Sequence, residues 1–175
     1  MQLTYDYGVD KIWVLNVGDM KPMEYPITLF LDMAWNPTEF NAENLLDHVY
    51  EFCKEAFGED KAKEAARLLN LVSKYNGRIT PEMLDATTYN LETGEFKQVC
   101  DDYARLEVAA LRQYMELDSK AKDAYQQLIL FPIQAMANLY DMYYAQAMNL
   151  KLAANNDPAD RKSTRLNSSH SPQSR

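Results

Sequence analysis

The chain has 175 residues, of which 47% are hydrophobic and 25% charged, which fits one globular domain or a piece of a larger protein. Its 12 Tyr and 6 Phe exclude general disorder, its 2 Cys exclude a disulfide scaffold or a multi-cysteine zinc site, and no apolar run reaches the ~20 residues of a membrane span. Residues 1–160 hold all 26 acidic and 14 of the 18 basic residues, and their net charge of −12 excludes nucleic-acid binding by this part, because phosphate binding depends on Lys and Arg.

The first 40 residues predict a helix end, a strand, a loop and a second helix. Gly8 is expected to end a short N-terminal helix. Residues 11–17 (KIWVLNV) form a continuous apolar run with β-branched and aromatic members, which predicts a strand buried on both faces, as in a parallel sheet. Pro22 suits the first turn of the next helix, which is expected over about 23–35. A single buried strand needs neighbours for its backbone groups, so this part is expected to be a slice of an α/β barrel or open sheet.

From residue 41 onward, apolar side chains recur at helical spacing. Long helices are expected up to Gly58, over about 62–75 and over about 96–114, with a short helix through Ala86 that Thr80 caps. The short connections between them favour antiparallel neighbours in a bundle.

The last helix is expected to run from a capping Ser119 to about Leu152. Pro132 lies inside this helix and removes one backbone hydrogen bond, which predicts a kink near Leu128. The buried positions expected along it include Tyr125, Leu128, Phe131, Ala135, Leu139, Tyr140 and Ala147.

The tail 161–175 differs from the rest of the chain, because it holds four basic residues and no acidic one. Residues 163–175 are mostly Ser, Thr, Asn, Gln, Pro and Arg, a composition that predicts disorder. The string STRLNSSH also resembles a translated sequencing-library adapter, which implies a non-native end and a chain truncated at its C-terminus. We therefore leave the tail out of the fold argument.

Four polar side chains gather where the predicted strand ends, namely Asn16, Asp19, Lys21 and Glu24. Ligands of barrels and open sheets bind at the carboxyl ends of the strands. An amide donates and accepts, a carboxylate accepts and an ammonium carries a positive charge, so this set is suited to a sugar hydroxyl, a carboxylate or a water. The alternative is a capped turn in which Asp19 binds backbone N–H groups and Lys21 is solvated.

Other candidate residues have structural interpretations that the sequence favours. His48 is the only histidine in residues 1–160, which excludes a histidine-based triad or His-rich metal site in this segment, and we expect a partly exposed helix residue. The pair Cys53 and Cys100 is expected to be buried as free thiols. The tyrosines Tyr140, Tyr143 and Tyr144 are more typical of a bundle core than of a sugar-binding platform. The acidic residues Asp101, Asp102 and Glu107 are more typical of a solvated helix face than of a catalytic carboxylate pair.

Three segments carry a resemblance to one family. The string YGVDKIWVLNVGDMKPMEYPITLFLDMAWNP resembles the signature of glycoside hydrolase family 115, the xylan α-1,2-glucuronidases. Met20 and Leu29 replace a usual Leu and a usual aromatic residue, and neither change removes a polar group. The strings YNGRITPEMLDATTYNL and AYQQLILFPIQAMANLYDMYYAQAMNLKLA resemble later segments of the family, so the resemblance covers about 1–161.

The resemblance implies a mainly α fold, a helical bundle preceded by a single strand-loop-helix remnant of a (β/α)8 barrel. It assigns residues 1–40 to the end of the catalytic barrel and 41–160 to the helical domain, with 161–175 as the non-native tail. Because family members are several times longer, the chain is expected to be an internal fragment that is inactive alone.

The resemblance also implies an activity for the intact enzyme, which removes glucuronic or 4-O-methylglucuronic acid from glucuronoxylan by inversion. No catalytic residue is assigned here, because the general acid and base are expected upstream of Met1. Asn16 matches the family's pocket asparagine, with Asp19 and Lys21 as weaker substrate-binding candidates and Glu24 as a support of the loop. No cofactor or metal is expected.

The partners that the resemblance implies are the xylan substrate and the rest of the barrel. No nucleic acid and no membrane is expected as a partner. The intact protein is expected to be secreted or periplasmic. A different class of function stays open, in which residues 41–160 are a self-standing acidic helical interaction module. In a third interpretation the helical domain makes the enzyme a homodimer.

Overall fold

The structure, a computed structural model, describes residues 1–155, and these residues are mainly helical. The α-helices are α1 (Gln2–Asp6), α2 (Glu24–Trp35), α3 (Leu45–Phe57), α4 (Glu59–Asn76), α5 (Glu95–Met115), α6 (Ser119–Tyr125) and α7 (Phe131–Ala154). Short 3₁₀ turns lie at Pro37–Glu39 and Pro81–Met83, and a π-helical turn at Gln126–Leu130 joins α6 to α7. The predicted helical bundle is confirmed, and the predicted tail 161–175 lies outside the described residues.

Local signals place most of the helix ends where the sequence predicts them. Gly58, with a φ of +90°, separates α3 from α4, a conformation that favours glycine. Gly8, with a φ of +87°, follows α1, and its N–H donates to the Tyr5 carbonyl. Two details differ: Pro81–Met83 is a 3₁₀ turn rather than a helix through Ala86, and neither Thr80 nor Ser119 caps a helix with its side chain.

The core of the bundle consists of two groups of buried side chains. The first joins α3, α4, the C-terminal half of α5 and the π turn, with Cys53, Leu68 and Ile129 fully buried. The second lies between α5 and α7, where the rings of Tyr103 and Tyr140 stack with their centroids 4.6 Å apart. The predicted burial of both free thiols is confirmed, since Cys53 is 0% and Cys100 is 5% exposed.

The predicted strand at residues 11–17 is wrong for this structure, which contains no strand within residues 1–155. Ile12 and Val14 are 78% and 86% exposed, and residues 11–17 make no backbone–backbone hydrogen bond with other described residues. The ring of Trp13 packs against two helices, 6.4 Å from that of Tyr5 in α1 and 6.3 Å from that of Phe30 in α2. A strand needs partner strands to satisfy its N–H and C=O groups, and the described residues supply none, so the barrel remnant is not visible.

The last helix is distorted where the sequence predicts a kink. The π turn Gln126–Leu130 precedes Pro132, which has no N–H to donate to the carbonyl of Leu128. The buried side chains in and beyond the π turn agree with the prediction in part. Tyr140 and Ala147 are buried as predicted, whereas Ile129, Ile133, Met136 and Ala137 are buried instead of Phe131 and Ala135, which are exposed.

None of the helices formed by residues 1–155 combines the length and the apolarity needed to cross a lipid bilayer.

Burial of the two thiols predicts that the chain loses stability at alkaline pH. Burial raises the pKa of Cys53 and of Cys100 from 9.0 to about 12. The folded state favours the protonated form of these thiols more than the unfolded state does. Their contribution to stability is fully present below the unfolded pKa of about 9, and it is lost as the pH rises from about 9 to about 12. The midpoint of urea unfolding should therefore fall between pH 8 and pH 11.

Buried tyrosines contribute in the same direction above pH 10, because burial raises the pKa of Tyr25 and of Tyr103 to about 12. A Cys53→Ala/Cys100→Ala variant isolates the thiols, and its midpoint should fall less over the same pH range. Equal falls in the two proteins would contradict this assignment.

Candidate functional site

The candidate loop, residues 18–23, connects the non-helical segment to α2. It begins at Gly18, whose φ of +62° favours glycine, and it closes with a hydrogen bond of 2.9 Å from the Met23 N–H to the Met20 carbonyl. The Lys21–Pro22 peptide bond is cis. Pro22 lies before α2 rather than in its first turn, because the helix begins at Glu24.

Asn16 lies beside an apolar cleft of about 350 Å³ between the non-helical segment and α2. The other lining side chains include Leu15, Met23, Ile27 and Phe30. Asn16 is exposed, and its amide makes no hydrogen bond with the described residues. The amide is therefore free to donate to a ligand and to accept from it.

The two charged candidates of the loop are exposed and unpaired within residues 1–155. The carboxylate of Asp19 accepts no hydrogen bond from a backbone N–H there, so the capped-turn alternative finds no support in the structure. Lys21 lines a second cleft of about 450 Å³, together with Pro22 and four residues of the α6–α7 helix, and makes no ion pair. The structure thus places Asn16 and Lys21 at different clefts, and Asp19 lines neither of them.

Glu24 connects the loop to the bundle. Its Oε1 accepts a hydrogen bond from Nε2 of Gln127, which lies in the π turn. Its Oε2 is buried without a hydrogen-bond partner among the described residues. Sequence analysis missed Gln127, because the two residues are 103 positions apart and no local pattern links them.

His48 joins α2 to α3 and is partly exposed, as the sequence predicts. Its side chain is 18% exposed, and Nε2 lies 2.9 Å from Oδ2 of Asp32. The imidazole packs between two aromatic rings, 5.8 Å from that of Tyr25 and 5.5 Å from that of Phe40. This contact anchors α2 on the bundle at its C-terminal half.

The acidic residues of α5 do not form a carboxylate pair. Asp101 pairs with Lys97, and Glu107 accepts a hydrogen bond of 3.0 Å from Gln134. Asp102 lies between Arg78 and Arg105; burial opposes its ionisation, yet the hydrogen bonds that it accepts hold the pKa of its carboxyl below the ordinary value.

The remaining candidates also have structural roles. Tyr140 is fully buried in the core rather than presented to a ligand. Within the described part of the chain, no three His, Cys, Asp or Glu side chains cluster closely enough to hold a metal ion.

Residues 1–83 match the model of glycosyl hydrolase family 115. This part of the chain belongs to that family. The matched range contains the candidate loop, α2, α3 and α4, so the family 115 sequence continues across the predicted boundary at residue 40 and into the bundle. It stops short of the resemblance to about residue 161 that the sequence suggests. A search of curated proteins found no match to the chain.

The match over residues 1–83 supports a glycoside hydrolase family member, and the substrates of glycoside hydrolases are carbohydrates. The exposed polar groups of Asn16 and of the loop are of the kind that bind sugars, with the Asn16 amide at one cleft and the Lys21 ammonium group at the other.

Proposed function

We propose that this chain is part of an enzyme that removes glucuronic acid or 4-O-methylglucuronic acid from glucuronoxylan with inversion at the anomeric carbon. The observation that carries the proposal is the family 115 match over residues 1–83, which contains the whole candidate loop. The free amide of Asn16 supports it, since an unpaired donor and acceptor beside a cleft is what a sugar hydroxyl or carboxylate requires.

Inverting hydrolysis requires two carboxyl groups about 6.5–9.5 Å apart, one to protonate the leaving oxygen and one to activate a water. The carboxylates here are that of Asp19 in the loop, which is exposed and unpaired, and that of Glu24 at the start of α2, which binds Gln127. Neither faces a second carboxylate across a cleft in the described residues. We therefore propose that the general acid and base come from barrel segments that precede Met1, and that Asn16, Asp19 and Lys21 bind substrate.

The proposed enzyme has the barrel end at residues 1–40 and the helical domain at 41–160. The exposed apolar side chains of residues 11–17 support this division, because they are suited to contact with neighbouring barrel strands. Glucuronoxylan is a polymer outside the cell, so we further propose a secreted or periplasmic enzyme. A second copy of the chain remains a proposed partner of the helical domain.

The isolated chain is expected to release no glucuronic acid from glucuronoxylan, because residues 1–155 present no pair of carboxylates that face each other across a cleft. Release is measured by chromatography of the acidic sugars after long incubation. The positive comparison is a longer polypeptide in which this segment follows the barrel sequence encoded upstream, and it should release the sugar from the same xylan.

Release by the isolated chain would assign the chemistry to residues such as Asp19 or Glu24. If the longer polypeptide also released nothing, the glucuronidase proposal would be wrong, and the acidic interaction module would become the better hypothesis.

A further inference from the structure

The candidate loop and the helical bundle meet at the second cleft. One wall of the cleft is formed by Lys21 and Pro22, and the facing wall by Asp123, Gln126, Gln127 and Phe131 of the α6–α7 helix. Behind the cleft, Nε2 of Gln127 donates to Oε1 of Glu24. Glu24 is the first residue of α2, so this bond fixes the point at which the loop ends.

The carboxylate of Glu24 depends on this donor. Its second oxygen is buried and accepts no hydrogen bond among the described residues. Placing a charged carboxylate away from water is unfavourable unless hydrogen bonds compensate for the lost hydration. Without Gln127, Glu24 would have no donor on either oxygen, and it would have to turn toward solvent and move the end of the loop.

The position of Gln127 is itself set by the core. The π turn that contains it also contains Ile129 and Leu130, which are 0% and 3% exposed. The neighbouring Gln126 lines the same cleft, but it is exposed and has no hydrogen-bond partner within residues 1–155. The two glutamines therefore form a matched pair that differs in the contact with Glu24.

We propose that Gln127 is a positioning residue, which holds Glu24 and thereby the loop that carries Asp19 and Lys21. The helical bundle then has a role in the candidate site, because a residue of its π turn determines where the substrate-binding loop lies. The effect of Gln127 on substrate binding rests on the proposed function. Its effect on the position of the loop does not depend on that function.

The first test measures amide hydrogen exchange in the 175-residue chain. The N–H groups of Met23 and Ile27, which donate to Met20 and Met23, report on the loop and the start of α2. In Gln127→Ala these amides should exchange about tenfold faster or more, since a hydrogen bond to a charged group is lost, while amides of α5 keep their rates. Gln126→Ala, the matched control, should leave both sets unchanged. Unchanged loop exchange in Gln127→Ala would overturn the proposal.

A second test exchanges the two side chains. Gln127→Glu alone sets two carboxylates against each other and should also speed exchange in the loop. Adding Glu24→Gln restores an amide facing a carboxylate, and the slow exchange should return. The control is Gln126→Glu combined with Glu24→Gln. In this control the slow exchange of the loop amides should not return as it does in the Gln127→Glu/Glu24→Gln variant. Failure of the double variant to recover would overturn the proposal even if Gln127→Ala proved too unstable to study.

These outcomes are independent of the glucuronidase activity. Suppose that the loop depends on Gln127 but the longer protein is inactive on glucuronoxylan. This inference would then hold, and the proposed function would be wrong. In an active longer enzyme, Gln127→Ala should lower kcat/KM while the Tm stays within a few degrees, and the exchanged pair should restore it. A loss of Tm that accounts for the lost activity would overturn the positioning role.

Discussion

Replacing Asn16 with alanine is expected to lower turnover about 100- to 1,000-fold in an enzyme that joins this segment to the rest of the barrel. A positioned polar contact made in the transition state typically contributes ~2.7–4 kcal/mol to catalysis. The fold should tolerate the change, because the Asn16 amide is exposed and makes no hydrogen bond with the described residues. Steady-state kinetics and a thermal melt of the same sample measure the two effects separately.

Asn138 offers a control for the Asn16 experiment. It lies on the exposed face of α7 and makes no side-chain hydrogen bond within the described residues, so Asn138→Ala should change neither turnover nor the Tm. If Asn16→Ala instead lowers the Tm while the folded fraction turns over normally, Asn16 is a structural turn residue, and it must be removed from the proposed site.

Replacing Phe96 with alanine should cost about 3–5 kcal/mol in the free energy of unfolding, the range typical of a buried aromatic residue replaced by alanine. Phe96 is 0% exposed, and its ring lies 5.4 Å from that of Tyr89 and 5.5 Å from that of Tyr144. The change leaves a cavity between α5 and α7 that the surrounding rings cannot fill without moving. Urea unfolding followed by circular dichroism measures the loss.

Phe131 is the matched control for Phe96, with the same side chain at 57% exposure. Phe131→Ala should change the free energy of unfolding by no more than about 0.5 kcal/mol, as is usual for surface substitutions. Similar losses in the two variants would show that α7 is packed differently from the arrangement described here.

Much of the bundle is predictable from the sequence because its signals are local. Gly58 stops α3, and Ala62, Ala65, Ala66, Leu69 and Val72 recur at the helical period and are buried as predicted. A helix satisfies its backbone groups within a few residues, so its extent and its apolar face depend on nearby side chains. The polar residues of the candidate loop are found in the same way, from their succession along the chain.

The last helix shows where a local argument stops being sufficient. Ile129, Ile133 and Met136 are buried close to where the sequence predicts Leu128, Phe131 and Ala135, whereas Tyr125, Tyr140 and Ala147 are buried as predicted. A π turn uses more residues per turn than an α-helix, so the side chains that face the core change close to it. Proline predicts a distortion at this place, and in the structure the distortion is a π turn.

The sequence by itself therefore determined the helices, the buried thiols and the polar loop, since each depends on residues close together in the chain. Tertiary structure alone decided the state of residues 11–17, whose apolar pattern predicts a strand that forms only if partner strands are present. It also decided the contact between Glu24 and Gln127, 103 residues apart. Such a bond leaves no periodic trace, because it arises only after the bundle has brought the π turn beside the loop.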